Sequence, residues 1–153
     1  MGGAVRIGVI DVSEDRLEAA AAAGADWVAT PEDALRTGGK QDVILVTAMD
    51  GVDLAVEMAD LGGTVVLYSA FNDGLPITVS ADKAHRGEIS IVGAFSQEPE
   101  DWKLGSAYIR SGLIADDLDK LVTARYPFEQ IGDALRLVTT ESTYRVFVEP
   151  EHG

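Results

Sequence analysis

Apolar residues fall in short dense runs, separated by polar segments that carry glycine, and two periodicities alternate along the chain. Val5, Ile7, Val9 and Ile10 form a β-branched run ending at Asp11, the pattern of a buried strand. Ser13 is then expected to cap a helix, with Glu14 and Asp15 in its first turn, where carboxylates favour the positive end. That helix runs through Leu17 and an alanine tract to Gly24, a helix-ending glycine. Residues 26–30, DWVAT, read as a short strand, and TPEDAL opens a helix with Thr30 as cap and Pro31 in the first position.

DVILVTA (42–48) is a continuous apolar strand of the kind covered on both faces. Asp50 is expected to cap a helix running to Leu61 and stopping at Gly62-Gly63. TVVLYSAF (64–71) is another buried strand, residues 72–87 a polar loop with a short turn, and EISIVGAF (88–95) a further strand. A helix starts at Pro99 and ends near Gly112. Strand–helix repeats of this kind predict an open parallel α/β sheet with helices on both faces. The tail reads as extended (120–127), amphipathic helix (128–138) and strand (144–150).

The length of 153 residues fits one domain with a core of useful size. A formal net charge of −14 repels nucleic acid and anionic lipid, so neither is an expected partner. The chain has no cysteine, and its two histidines, His85 and His152, lie far apart, so no metal-ligand spacing is present. No apolar run approaches the roughly 20 residues of a membrane span, and no signal-peptide pattern opens the chain, which makes a cytoplasmic location the expectation.

The strand ends carry the candidate chemistry. Asp11 closes the first strand just before a helix. In dinucleotide-binding sheets an acid in that place accepts hydrogen bonds from the adenosine ribose, and its charge disfavours the extra phosphate of NADP. A turn aspartate that starts the helix is the alternative. Thr47, Tyr68 and Ser69 close later strands, at the edge where ligands collect in open α/β sheets; packing or capping roles are the alternative there too. No G-x-G-x-x-G, P-loop or G-x-S-x-G occurs, and no acidic pair stands out as catalytic.

In order, these segments resemble the C-terminal part of the medium-chain dehydrogenase/reductase family, in its zinc-type alcohol, polyol and threonine dehydrogenase branch. VIDVSEDRLEAAAAAGADWVAT is similar to the second strand, its helix and the third strand. DVILVTAMDGVDLAVEMADLGGTVVLYSAF is similar to the fourth strand, helix and fifth strand. ISIVGAF, AYIRSGLI, LVTARYPFEQIGDALRLV and YRVFVEP resemble the C-terminal run. The resemblance implies an incomplete Rossmann-like sheet lacking the first strand and the glycine-rich turn. Residues 1–119 would form a partial NAD-binding domain, and 120–153 a tail that in the family packs on the catalytic domain. It implies NAD as cofactor, with Asp11 and Arg16 at the adenosine end, Thr47 and Ala48 near the nicotinamide-side ribose, Tyr68, Ser69, Ala94 and Phe95 near the nicotinamide, and Arg145 near the pyrophosphate. The family often has glycine where this chain has Met49 and Ser69, so side chains are expected to crowd the nicotinamide end. Zinc ligands and the catalytic proton relay would lie upstream, so neither a catalytic residue nor zinc is expected in this chain.

The family's strand order, 3-2-1-4-5-6, puts the missing strand in the middle. Strands two and four must then pair directly or leave unpaired edges, and buried unpaired backbone groups cost roughly 1–3 kcal/mol each. Three readings follow: a truncated dehydrogenase-like chain inactive alone; one subunit of a split dehydrogenase completed by a partner chain that brings the strand and catalytic domain; or a non-enzymatic binding module, with homodimerisation through strand 88–95.

Overall fold

A computed structural model of the chain describes residues 4–69, 76–140 and 143–150. Ala70 and Phe71 of the expected strand, residues 72–75 of the polar loop, and His152 lie outside the described residues. The chain forms two compact units, one up to Ser96 and one from Gln97 on.

The first unit opens with β1 (Gly8–Ile10), α1 (Glu14–Ala22) and β2 (Trp27–Ala29), and the two strands pair in parallel with Val9 opposite Val28. Gly24 takes a φ of 102°, the left-handed turn its place after the helix called for. After α2 (Ala34–Gly38) come β3 (Gln41–Val46), α3 (Val52–Met58), β4 (Ala59–Leu67), α4 (Ala81–Gly87) and β5 (Ser90–Gly93). These last three strands make a second parallel sheet in the order β3-β4-β5. The expected parallel α/β architecture is therefore present, in two pieces: among the described residues β1 pairs only with β2, β3 only with β4, and no direct pairing of β1 with β3 closes the sheet.

Packing joins what the backbone ladders leave apart. Trp27 and Ala29 from β2, Ala34 from α2 and Met58 from α3 form one buried cluster, and Ile10, Ile44 and Leu54 pack against it. The Trp27 ring lies so close to the chain that a Cβ added at Gly8 would stand 1.9 Å from it, and one at Gly38 2.4 Å. A second cluster, Val46, Val52, Ala55, Val56, Ala59 and Val65, seats α3 on the β3–β4 pair.

Helix boundaries depart from the sequence expectation in instructive places. Ser13 occupies the N-cap of α1, yet its side chain makes no cap bond; its N–H instead donates to Asp11 Oδ1 at 2.9 Å. Residues 31–33 turn rather than open a helix: Asp33 N–H donates to Thr30 O at 3.1 Å, and α2 begins at Ala34 with Asp33 as N-cap. Gly51, not Asp50, precedes α3, and the helix ends at Met58, because Ala59 is already extended and opposite Gln41 in the β3–β4 ladder. Gly62, at a φ of 74°, turns the chain before the ladder resumes at Thr64. The polar segment before β5 contains α4, which Ser80 caps by accepting the Lys83 N–H at 2.9 Å.

The second unit holds α5 (Pro99–Arg110), opened by a reciprocal capping box between Glu98 and Asp101, and α6 (Ala115–Lys120). β6 (Val122–Pro127) and β7 (Arg145–Glu149) then pair in parallel, joined by a 3-10 turn (Phe128–Gln130) and α7 (Ile131–Thr140). Arg125 bridges the pair, donating to Glu149 Oε1 at 2.7 Å with its guanidinium 5.1 Å from the Phe147 ring centre.

Candidate functional site

The two halves of the first unit face each other across a cleft of about 340 Å³. One wall is the end of β1 and the start of α1: Ile10, Asp11, Val12 and Arg16. The other is β3 and the loop behind it, from Ile44 through Ala48 to Asp50 and Gly51, with Leu54, Ala55 and Met58 of the following helix as floor. Pro31, just beyond β2, closes a corner. The carboxyl ends of β1 and β3 thus open on one space, the place where open parallel sheets bind ligands.

Asp11 is held from two sides. Its Oδ1 accepts the Ser13 N–H at 2.9 Å, and its Oδ2 lies 3.6 Å from the Arg16 guanidinium. Its side chain is 26% exposed, so it is fixed in orientation and still reachable from the cleft. Both readings of this residue meet in one geometry: it starts the helix turn, and it presents a carboxylate at the strand end. Thr47 and Ala48 line the opposite wall, exposed. The four residues expected toward the ribose ends of a dinucleotide therefore share one cleft.

The remaining candidates lie elsewhere. Tyr68 N–H donates to Val46 O at 2.9 Å and Ala94 N–H to Leu67 O at 3.0 Å, so the ends of β3, β4 and β5 stand in line. Tyr68, Ser69, Ala94 and Phe95 follow these ends but do not line the cleft; Phe95 is 99% exposed and Tyr68 46%. Met49 is 47% exposed and lies outside the cleft lining, so it does not narrow this cavity. Arg145 is the first residue of β7 in the second unit, where its Nη1 donates to Tyr144 O at 3.0 Å. Pro31 and Asp50 were read from sequence only as helix-start residues and Gly51 was not singled out, although all three follow strand ends and line the cleft. Among the described residues no group of three or more His, Cys, Asp or Glu is placed to hold a metal ion. No helix among them is long and apolar enough to cross a membrane.

Comparison with known proteins agrees with this architecture. The family model described as zinc-binding dehydrogenase matches residues 1–109. D-arabinitol dehydrogenase 1 of Uromyces fabae is 28% identical over 125 residues, which is 81% of this chain and 34% of that protein. Two solved structures share the fold. A short chain alcohol dehydrogenase from E. coli CFT073, complexed with cofactor NADH, superposes with a TM-score of 0.78 at 22% identity, covering 97% of this chain and 45% of that one. A putative zinc-binding dehydrogenase from Sinorhizobium meliloti 1021, bound to NADP, gives 0.76 at 18% identity over 97% of this chain and 45% of its own. The chain spans about a third of the curated relative's length and under half of each structure's.

Proposed function

The chain belongs to the zinc-binding dehydrogenase family, and from that premise we propose that it is the cofactor-binding part of an NAD(H)-dependent alcohol or polyol dehydrogenase, without turnover on its own. The polyol class takes its support from the similarity to D-arabinitol dehydrogenase 1. One observation carries the cofactor reading: the oriented, half-reachable Asp11 carboxylate at the mouth of the cleft.

The residues present fit the adenosine ribose. A ribose diol offers two O–H donors, and a carboxylate held by a backbone N–H and a guanidinium accepts them without reorganising. A 2′-phosphate in the same place would meet that negative charge, which favours NAD over NADP, although Arg16 beside Asp11 softens the preference. The pyrophosphate is a different matter. With no G-x-G-x-x-G in the sequence, this chain's own residues do not build its cradle. The nicotinamide accepts or donates a hydride when bound. The role of this chain is to hold the adenosine end, with Thr47 and Ala48 facing it across the cleft.

Titration with AMP, followed by amide shifts in a two-dimensional NMR spectrum, tests the reading apart from the pyrophosphate. Shifts are expected in Asp11–Arg16 and Thr47–Ala48, and Asp11→Asn should weaken binding about ten- to a hundredfold, the loss of a hydrogen bond to a charged group. AMP that shifts no residue of this cleft, or binds equally well to the Asn variant, would overturn it.

A further inference from the structure

At the carboxyl end of α3 two lysines from different elements meet on a single oxygen. The helix stops at Met58, and Ala59 N–H turns back to Ala55 O. Leu61 N–H, which a continuing helix would give to Glu57 O, goes to Asp60 Oδ1 at 2.8 Å. The Glu57 carbonyl is one of the last-turn acceptors that a helix leaves without a partner of its own. Lys83 Nζ donates to it at 2.8 Å, and Lys40 Nζ donates to the same oxygen.

The backbone aims both side chains there. Lys40 immediately precedes β3, whose first residue, Gln41, stands opposite Ala59. Lys83 lies in the first turn of α4, where Ser80 Oγ accepts its N–H at 2.9 Å. Val79 before that helix and Ile89 after it pack against the buried cluster to which α3 contributes. Lys83 is half-buried, whereas Ala81, Asp82, Ala84, His85 and Arg86 of the same helix are exposed. The acid on that helix, Asp82, is paired with Arg86 at 2.7 Å. Desolvation first, and then the charge of Lys40, lower the Lys83 pKa, with the Glu57 carboxylate acting the other way. At a given pH more of Lys83 than of an ordinary lysine is then the neutral amine, the nucleophilic form.

We infer that Lys83 is a site of acylation by small acyl phosphates, with Lys40 as the positioning residue that pairs with the phosphate of the donor. Lys83 first gives its ammonium proton to solvent and keeps one N–H on Glu57 O. Its lone pair then forms a bond to the carbonyl carbon of the donor. The bond from that carbon to the phosphate oxygen breaks, and the phosphate leaves with the electron pair and takes up the proton that the amine nitrogen loses. The products are an acyl-lysine and inorganic phosphate. The chain's net charge of −14 repels an anionic donor, and the lysine pair is a local patch of the opposite sign. After the step an amide N–H remains for Glu57 O, and the like charge beside Lys40 is gone. The pair stands at the amino end of β3, and Thr47 of the cleft follows its carboxyl end, so this inference does not rest on the cofactor reading.

The lysines of the chain are Lys40, Lys83, Lys103 and Lys120, so one peptide map reads them together. The full chain is treated with acetyl phosphate at mildly alkaline pH to low occupancy, and the acetyl group is located by mass spectrometry. Lys103 is the reference: its side chain is 77% exposed and paired with Glu100 at 3.3 Å, so access alone would make it faster than the half-buried Lys83. Lys83 is expected to react about threefold or more faster than Lys103 in the folded chain, and no faster in urea. Lys40→Gln should slow Lys83 about twofold or more without changing Lys103, and Lys40→Arg, which keeps the cation, should preserve the preference. The preference should also be smaller with a neutral donor, the N-hydroxysuccinimide ester of acetate, which offers Lys40 no phosphate. Lys83 reacting no faster than Lys103, Lys40 reacting first, or a preference that persists in urea would overturn the inference. An equal preference with the ester, or one unchanged in Lys40→Gln, would overturn the part given to Lys40.

Discussion

At the residue scale, Trp27 is the keystone of the first unit. Its ring fills the space over Gly8 and Gly38, and the Arg6 guanidinium lies 5.8 Å from the ring centre. Two glycines are needed here because of space rather than backbone angle: neither has a positive φ, and a single methyl at either site would stand inside the ring's van der Waals envelope. Gly8→Ala should therefore destabilise the unit by about 1–3 kcal/mol through overpacking, read as a lower urea midpoint. An unchanged midpoint would mean that the indole does not sit where the packing places it. Asp11 is the other residue on which much depends. The sequence offered two roles for it, and the geometry lets one carboxylate serve both, since one oxygen takes the Ser13 amide while the side chain stays reachable from the cleft.

At the element scale, α3 shows how a helix end is assembled from neighbours. Lys40 and Lys83 both donate to the Glu57 carbonyl near the carboxyl end of α3, the latter at 2.8 Å, as cations do where carbonyls lack helical partners. Desolvation, and after it the nearby charge of Lys40, lowers the Lys83 pKa below its ordinary 10.5. The folded chain then holds that proton less tightly than the unfolded chain does. Stability from this group is reduced at neutral pH and recovers as the pH rises from the lowered value through 10.5. Lys40→Gln removes one cause and leaves desolvation, so the rise in urea midpoint toward about pH 10.5 should become shallower in the variant. An equal or steeper rise would remove Lys40 from the account.

The same helix marks where sequence pattern stops being informative. Strand positions at β1, β2, β3 and β5, and most of the tail, were readable from apolar runs, because a β-branched run between turn residues has few other states. The end of α3 was not. Ala59 is buried and fits the helical spacing of Val52, Ala55 and Val56, yet it is extended, because its backbone is taken up opposite Gln41. Burial satisfies both patterns, and only the partner strand decides between them. Two N-caps misread for a similar reason. Thr30 and Asp50 have the right chemistry for caps, but Asp33 and Gly51 take the position. Ser13 does stand at the N-cap of α1, and its backbone N–H donates to Asp11 Oδ1. In the site, Asp11 and Thr47 were legible as strand-end residues and Arg16 and Ala48 by resemblance, and the four share a cleft. Tyr68 and Ser69 were legible as strand-end residues and Ala94 and Phe95 by resemblance alone, and these four, which the resemblance puts near the nicotinamide, stand outside that cavity.

At the scale of the whole molecule, the first unit is a parallel sheet in two pieces, β2-β1 and β3-β4-β5, held at a set spacing by one shared core. The cleft opens at the carboxyl ends of β1 and β3, with Asp11 on one wall and Thr47 on the other. The proposed cofactor role is tested most directly by calorimetric titration of the full chain and of its Asp11→Asn variant with NADH. NADH is expected to bind the chain, and the variant is expected to bind it about tenfold or more weakly, the loss of a hydrogen bond to a charged group. No binding of NADH by the chain, or an equal affinity in the variant, would contradict the proposal.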